Sequence, residues 1–249
     1  FVGVMVGVVG SANWVLQQPV VASLNQDVES TQAPATEEPA FAATYTPMAG
    51  STGKLDKVSP VDGMELVYIP AGSFQMGSEN GAKDETPVHT IYLDEYWIDR
   101  TEVTNAMYRQ CVEDGACTKP ASVKSYNRNA LANYPVVQVN WHQAVPYCEW
   151  AGRRLPTEAE WEKAARGTDS RTYPWGGTID CTLANYRDCE GKTTVAGNYP
   201  QGSSPYGVLD MAGDVWEWTA DWYQGRYYSQ SPKNNPLGPD AGEDRVLRG

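Results

Sequence analysis

The stretch LDMAGDVWEW, residues 209–218, offers side-chain oxygens at Asp210, Asp214 and Glu217 around a single glycine, Gly213. Calcium takes about six to eight oxygen ligands, from carboxylates and backbone carbonyls, in a flexible shell. A loop that turns sharply at a glycine and then enters a strand supplies both kinds of donor. The alternative is a plain turn whose acids face water. In the strand VWEWT the period of two sends Trp216 and Trp218 to one side and Glu217 to the other, so the rings can pack while Glu217 binds.

Other reactive side chains are explained by structure. Glu158, Glu160 and Glu162 in RLPTEAEWEKAARG have the chemistry of general acids and bases, but carboxylates in a first helical turn usually serve the cap and the dipole. Five cysteines stand at 111, 117, 148, 181 and 189, and the two histidines, His89 and His142, are far apart. Neither CVEDGAC nor CTLANYRDC has the spacing of a zinc site. Both read as short loops closed by disulfides, with Cys148 left over, which requires an oxidising compartment. The alternative is five reduced thiols in a cytosolic protein.

Three helices are needed to position these groups. Thr104 starts the first, which carries Met107, Tyr108, Cys111 and Val112 and ends at Gly115. Asn140 and Gln143 form a capping box for the second, with Ala144, Val145, Cys148 and Ala151 on one face, Pro146 weakening one turn and Gly152 at the end. Thr157 and Glu160 form the capping box of the third, Trp161, Ala164 and Ala165 its apolar face, and Gly167 its stop. MELVYIPAGSFQMGS reads as a β-hairpin turned at PAG, and VHTIYLDEYWIDR as another strand pair or one long bent strand. After Gly167 short strands alternate with long loops, so the class is α+β.

The chain has 249 residues and a formal charge of −12, from 19 basic and 31 acidic residues, a balance that disfavours nucleic acid as a partner. Residues 1–16, FVGVMVGVVGSANWVL, carry no charge but fall short of the roughly 20 residues that span a bilayer. They read as part of a transmembrane helix, with a signal-peptide core as the alternative. Residues 17–60 are rich in Ala, Thr, Pro, Ser and Glu, cannot bury enough apolar surface to order themselves, and read as a disordered stalk. The folded domain is then 61–249, membrane-anchored and extracytoplasmic. Core packing is expected for Trp161, Trp216 and Trp218. Trp222, Tyr223, Tyr227 and Tyr228 are expected to border a surface groove.

Six ordered motifs carry a family resemblance: YIPAGSFQMGS, YWIDRTEVTNAMY, PVVQVNWHQAVPYCEWAGRRLPTEAEWEKAARG, YPWGG, AGDVWEWTADWY and RVLRG. Together they closely resemble the formylglycine-generating enzyme family, also called sulfatase-modifying factor domains, over about residues 61–249. The resemblance implies a C-type-lectin-like fold with little regular secondary structure, stabilised by calcium. Its calcium positions carry over onto the side chains of Asp210 and Glu217 and the carbonyls of Gly213 and Val215. A second site carries over onto Asn185 and the carbonyl of Tyr186; the loop here is shorter than in the family, the next ligand does not align, and Asp188 is taken for it as the nearby acid.

Active members of that family oxidise a cysteine of a client sulfatase to formylglycine, using molecular oxygen and copper held by two thiolates. Those two cysteines follow the RVLRGG segment in the family, so copper is implied only with a pair beyond Gly249, and no residue here is assigned a catalytic role. Cys148 matches a position that in the family pairs with a cysteine of that later segment. Relatives attached to membrane-bound serine/threonine kinases often lack the copper pair and look like binding or sensing modules. The resemblance thus leaves an oxidase acting on a protein or peptide client and a non-catalytic sensor of a small extracellular ligand or protein. A related non-heme iron enzyme would need a histidine cluster, which His89 and His142 do not supply.

Overall fold

The computed structural model describes residues 7–8, 56–187 and 189–249, all within one compact unit. A long bent hairpin dominates its first half. After β1 (Gly7–Val8) and β2 (Lys57–Val58) come β3 (Glu65–Ile69), β4 (Gly72–Met76), β5 (His89–Leu93) and β6 (Tyr96–Asp99). β3 pairs with β6, from Leu66 opposite Asp99 to Ile69 opposite Tyr96, and β4 pairs with β5, from Gly72 opposite Leu93 to Met76 opposite His89. The register is the same on both sides of the break, so these are two halves of one antiparallel ladder.

The hairpin expected at PAG is therefore corrected. β3 and β4 run on in the same direction, and the chain reverses in residues 77–88 instead. The physical cause lies in the third helix. Lys163 Nζ donates to the carbonyls of Pro70 at 2.7 Å and Gly72 at 2.9 Å, so the oxygens that would close a tight turn are bound elsewhere.

Each expected helix is present. α1 spans Asn105–Glu113 and Thr104 Oγ1 accepts from Met107 N. α2 spans Trp141–Trp150 with the Asn140–Gln143 capping box and Pro146 inside it. α3 spans Glu158–Arg166, with the Thr157–Glu160 box and Gly167 closing it at φ 68°. α3 buries Trp161, Ala164 and Ala165 against the hairpin residues Ile69, Phe74, Ile91 and Ile98. α1 and α2 share a second core around Tyr108, Cys111, Tyr147 and Cys148.

The last sheet places β7 (Trp216–Trp222) between β1 and β8 (Arg245–Arg248), antiparallel to both. Disulfides join Cys111 to Cys117 and Cys181 to Cys189, with Cα separations of 5.3 and 5.5 Å, and Cys148 is free and buried. The fold is α+β with short elements and long loops.

Of the expected membrane segment, residues 1–16, only Gly7 and Val8 are described, as β1. Among the described residues no helix is long and apolar enough to cross a membrane. The expected stalk lies outside the described residues except for 56–60, where Lys57 and Val58 already pair with β3.

Candidate metal centre

The loop before β7 is held in a left-handed backbone at Asp210 (φ 56°), Gly213 (φ 86°) and Asp214 (φ 58°). A Cβ at Gly213 would collide with the carbonyl of Asn185, whose oxygen accepts from Asp214 N at 2.7 Å, so only glycine fits this approach. At the other end, Leu209 N donates to Arg100 O at 2.8 Å and Gly197 N to Asp210 Oδ2 at 2.5 Å. Backbone contacts from three separate segments thus fix where the carboxylates sit.

β7 then buries its polar side. Glu217, Thr219 and Asp221 are buried, whereas Trp218 and Trp222 are half-buried and Trp216 is 42% exposed. Core packing holds for Trp161 and is corrected for Trp216. The side of β7 that faces inward meets α3, and there the indole N–H of Trp161 calls for an acceptor rather than a second ring: Trp161 Nε1 donates to Glu217 Oε2 at 2.5 Å.

Four acids share this interior. Glu217 is fully buried and its Oε1 has no hydrogen-bond partner among the described residues. Glu102, between Thr101 and Val103, is equally buried; its carboxyl lies against that of Asp210, and no other group among the described residues bonds to its oxygens. Asp214 Oδ1 accepts from Asn185 Nδ2 at 2.6 Å and Thr194 N at 2.9 Å, while its Oδ2 has no partner among the described residues. Burial pushes the carboxyls of Glu102 and Glu217 well above the usual range, and the charge of Asp210 beside them adds to the effect. Burial also raises Asp210 and Asp214.

A buried acid that keeps an unsatisfied oxygen next to other acids is costly unless a proton or a cation joins it. The donor set is all oxygen, which fits calcium. Among the described residues no group of three or more His, Cys, Asp or Glu side chains is arranged to hold an ion by itself. A cation here would need backbone oxygens as well as the carboxylates. Glu102 was not singled out from the sequence; the available sign was an acid directly before the core residue Val103, two residues ahead of the cap Thr104.

Asn185, expected in a second site, bonds to Asp214 of the acidic loop. Its Nδ2 donates to Lys192 O at 2.8 Å as well as to Asp214, and its Oδ1 accepts from Glu190 N at 3.3 Å. The Tyr186 carbonyl accepts from Cys189 N at 3.1 Å. Asp188 lies outside the described residues.

The four expected groove residues differ in exposure and partners. Trp222 covers one face of the Arg245 guanidinium at 3.4 Å from the ring centre, and Trp141 covers the other at 3.7 Å. Tyr223 is exposed and donates to Asp84 Oδ2 at 2.7 Å, and Tyr227 is half-buried. Tyr228 is corrected: it is buried, its ring packs on His89, and its hydroxyl donates to Glu158 at 3.1 Å. The short helical turn at Tyr227–Ser229 swings it inward under Gly77.

The fold and this acid-lined centre define a disulfide-bonded α+β domain. The family described as Sulfatase-modifying factor enzyme 1-like domain matches residues 53–249, and the chain belongs to it. Serine/threonine-protein kinase pkn1 of Chlamydia caviae is 39% identical over 207 residues, covering 74% of this chain and 32% of the kinase. The chain thus spans about a third of that relative's length. Formylglycine-generating enzyme of Mus musculus is 31% identical over 268 residues, covering 84% of this chain and 72% of the enzyme. Among solved structures, PvdO from Pseudomonas aeruginosa superposes with a TM-score of 0.65 at 25% identity, over 78% of this chain and 85% of PvdO.

Proposed function

We propose that residues 53–249 form a calcium-stabilised recognition domain of a membrane-anchored receptor of the kinase type. The observation that carries this reading is the 39% identity to a chlamydial serine/threonine-protein kinase over 74% of this chain. The five cysteines present have other roles: four are cross-linked, and Cys148 is buried, with burial and then the charge of Asp99 pushing its thiol well up.

Calcium would be held by Asp210, Glu217 and the carbonyls of Gly213 and Val215, with Glu102 as a further carboxylate. The ion would hold loop 209–215 on β7; it supplies charge and geometry, not redox chemistry. Asn185 couples this loop to the disulfide-closed loop after Cys181 through Asp214.

The test is incubation of the protein, with copper(I) and oxygen, with a peptide carrying a sulfatase-type cysteine, followed by trapping of aldehydes with a hydrazide. The thiol should persist and no trapped product should form. Aldehyde formation by this chain would overturn the reading.

A further inference from the structure

A pocket of about 330 Å³ lies where three segments meet, and none of the acids Glu102, Asp210, Asp214 or Glu217 lines it. One wall is the bend between β5 and β6, with Asp94, Glu95 and Trp97. The second is the entrance to α3, with Arg154. The third is loop 235–237, with Pro236 and Leu237. Its volume falls at the lower end of ligand pockets, which run from about 300 to 1,000 Å³.

The walls are held together by specific bonds. Asp94 N donates to Asn235 Oδ1 and Asn235 Nδ2 to Asp94 Oδ2, both at 2.9 Å, which fixes the loop to the bend. This leaves Asp94 Oδ1 without a partner among the described residues. Arg154 Nη1 donates to Leu155 O at 3.0 Å and Glu160 Oε2 at 2.9 Å, and its Nη2 to Glu160 Oε1 at 2.8 Å. The Nε–H of Arg154 makes no hydrogen bond among the described residues, and its side chain is 51% exposed. Leu237, at 73% exposed, is the most exposed large apolar side chain among them.

We propose that this pocket binds a small zwitterion, an α-amino acid or dipeptide with an apolar side chain. The ligand's carboxylate meets the open edge of the Arg154 guanidinium, its ammonium meets Asp94, and its side chain covers Leu237 and Pro236. A simple anion would face the carboxylates of Asp94, Glu95 and Glu160. A simple amine or an apolar molecule would desolvate Arg154 without giving it an acceptor, which is unfavourable. Only a ligand with both charges and an apolar body answers all three walls.

The proposal names a ligand class for the recognition role given above and rests on that reading. Calorimetric titration of the folded protein with leucine, leucyl-leucine, 3-methylbutylamine and 4-methylpentanoate tests it. One of the two zwitterions should bind at least about tenfold more tightly than both single-charge analogues. Leu237→Ser removes an exposed side chain without touching the core, and should weaken that binding by about tenfold or more. Arg154→Lys should weaken the carboxylate-bearing ligands and leave the amine unaffected. Failure of both zwitterions to bind at up to ~10 mM, equal binding of an analogue lacking one charge, or an unaltered affinity in Leu237→Ser would each overturn the pocket assignment. None of these results depends on aldehyde formation, which decides the recognition reading separately.

Discussion

Trp161 Nε1 and Glu217 Oε2 lie 2.5 Å apart, and this bond ties α3 to β7 in the interior of the fold. It satisfies one oxygen of Glu217 and leaves Oε1 open toward a region that already holds the acids Glu102 and Asp210. The indole orients the carboxylate, and the ion we propose completes it. A ligand that binds only the folded state stabilises by about 4 kcal/mol at a thousandfold excess over Kd. Chelation should therefore lower the melting temperature of the protein markedly. Glu217→Gln keeps the acceptor for Trp161 but removes the charge, so it should show most of the same loss and little response to added calcium. A melting temperature indifferent to chelator, or a Gln variant that responds to calcium like the parent, would remove the site.

Asp221, on the buried side of β7, accepts from Glu158 N at 2.8 Å, and burial raises its carboxyl to about 7. Its folded pKa thus exceeds the unfolded value of about 3.9, so between these limits the folded state holds a proton that the unfolded state has lost. Its contribution to stability is present below about pH 4 and is lost as pH rises to about 7. Asp221→Asn retains the acceptor and does not titrate. Relative to the parent, the variant should gain on the order of 2 kcal/mol between pH 4.5 and 7.5, read from urea midpoints. A difference between parent and variant that does not change with pH would rule the effect out.

The parts legible in the sequence were those fixed by neighbours along the chain. The capping pairs Asn140–Gln143 and Thr157–Glu160 lie within one helical turn, and each helix begins where its pair places it. Gly213 was read as a sharp turn and is one. The parts that were not legible are decided by distant contacts. The chain fails to reverse at PAG because Lys163, on α3, takes two of the carbonyls there. Glu102 joins Asp210 and Glu217 only after α1, α2 and α3 have been threaded between them in the chain. Trp216 faces outward because strand alternation says which residues share a side, but not which side is inside; here the inner side is the polar one.

Lys163 should be a larger stability determinant than a lysine usually is. Its amine is buried without a carboxylate, bonded to the carbonyls of Pro70 and Gly72, and burial lowers its pKa to about 8. Lys163→Met keeps the apolar stem but strips both carbonyls of their donor, for an expected loss of about 2–3 kcal/mol in denaturant unfolding. The unfolded lysine titrates near 10.4, so between about pH 8 and that value the unfolded state binds the extra proton and stability rises with pH. The Met variant should lack that rise, and its deficit should widen from pH 8 to 10. A variant as stable as the parent at pH 8 would show that the two bonds do not hold the bend.

The Cys181–Cys189 bridge closes the loop that carries Asn185, and Asn185 in turn holds Asp214 beside the acidic centre. A loop of this length restrains the unfolded chain by about 2.5 kcal/mol in the chain-entropy account. The double variant Cys181→Ser, Cys189→Ser should lose about that much in urea unfolding. If the loop also positions the calcium site, the variant should need more calcium to reach its maximal melting temperature. The Cys111–Cys117 bridge closes a loop of similar length at the end of α1 and packs in the separate core with Tyr108 and Cys148. Its double serine variant should lose similar stability yet leave the calcium requirement unchanged. Equal calcium titrations for both variants would show that the Asn185–Asp214 contact does not couple the disulfide loop to the centre.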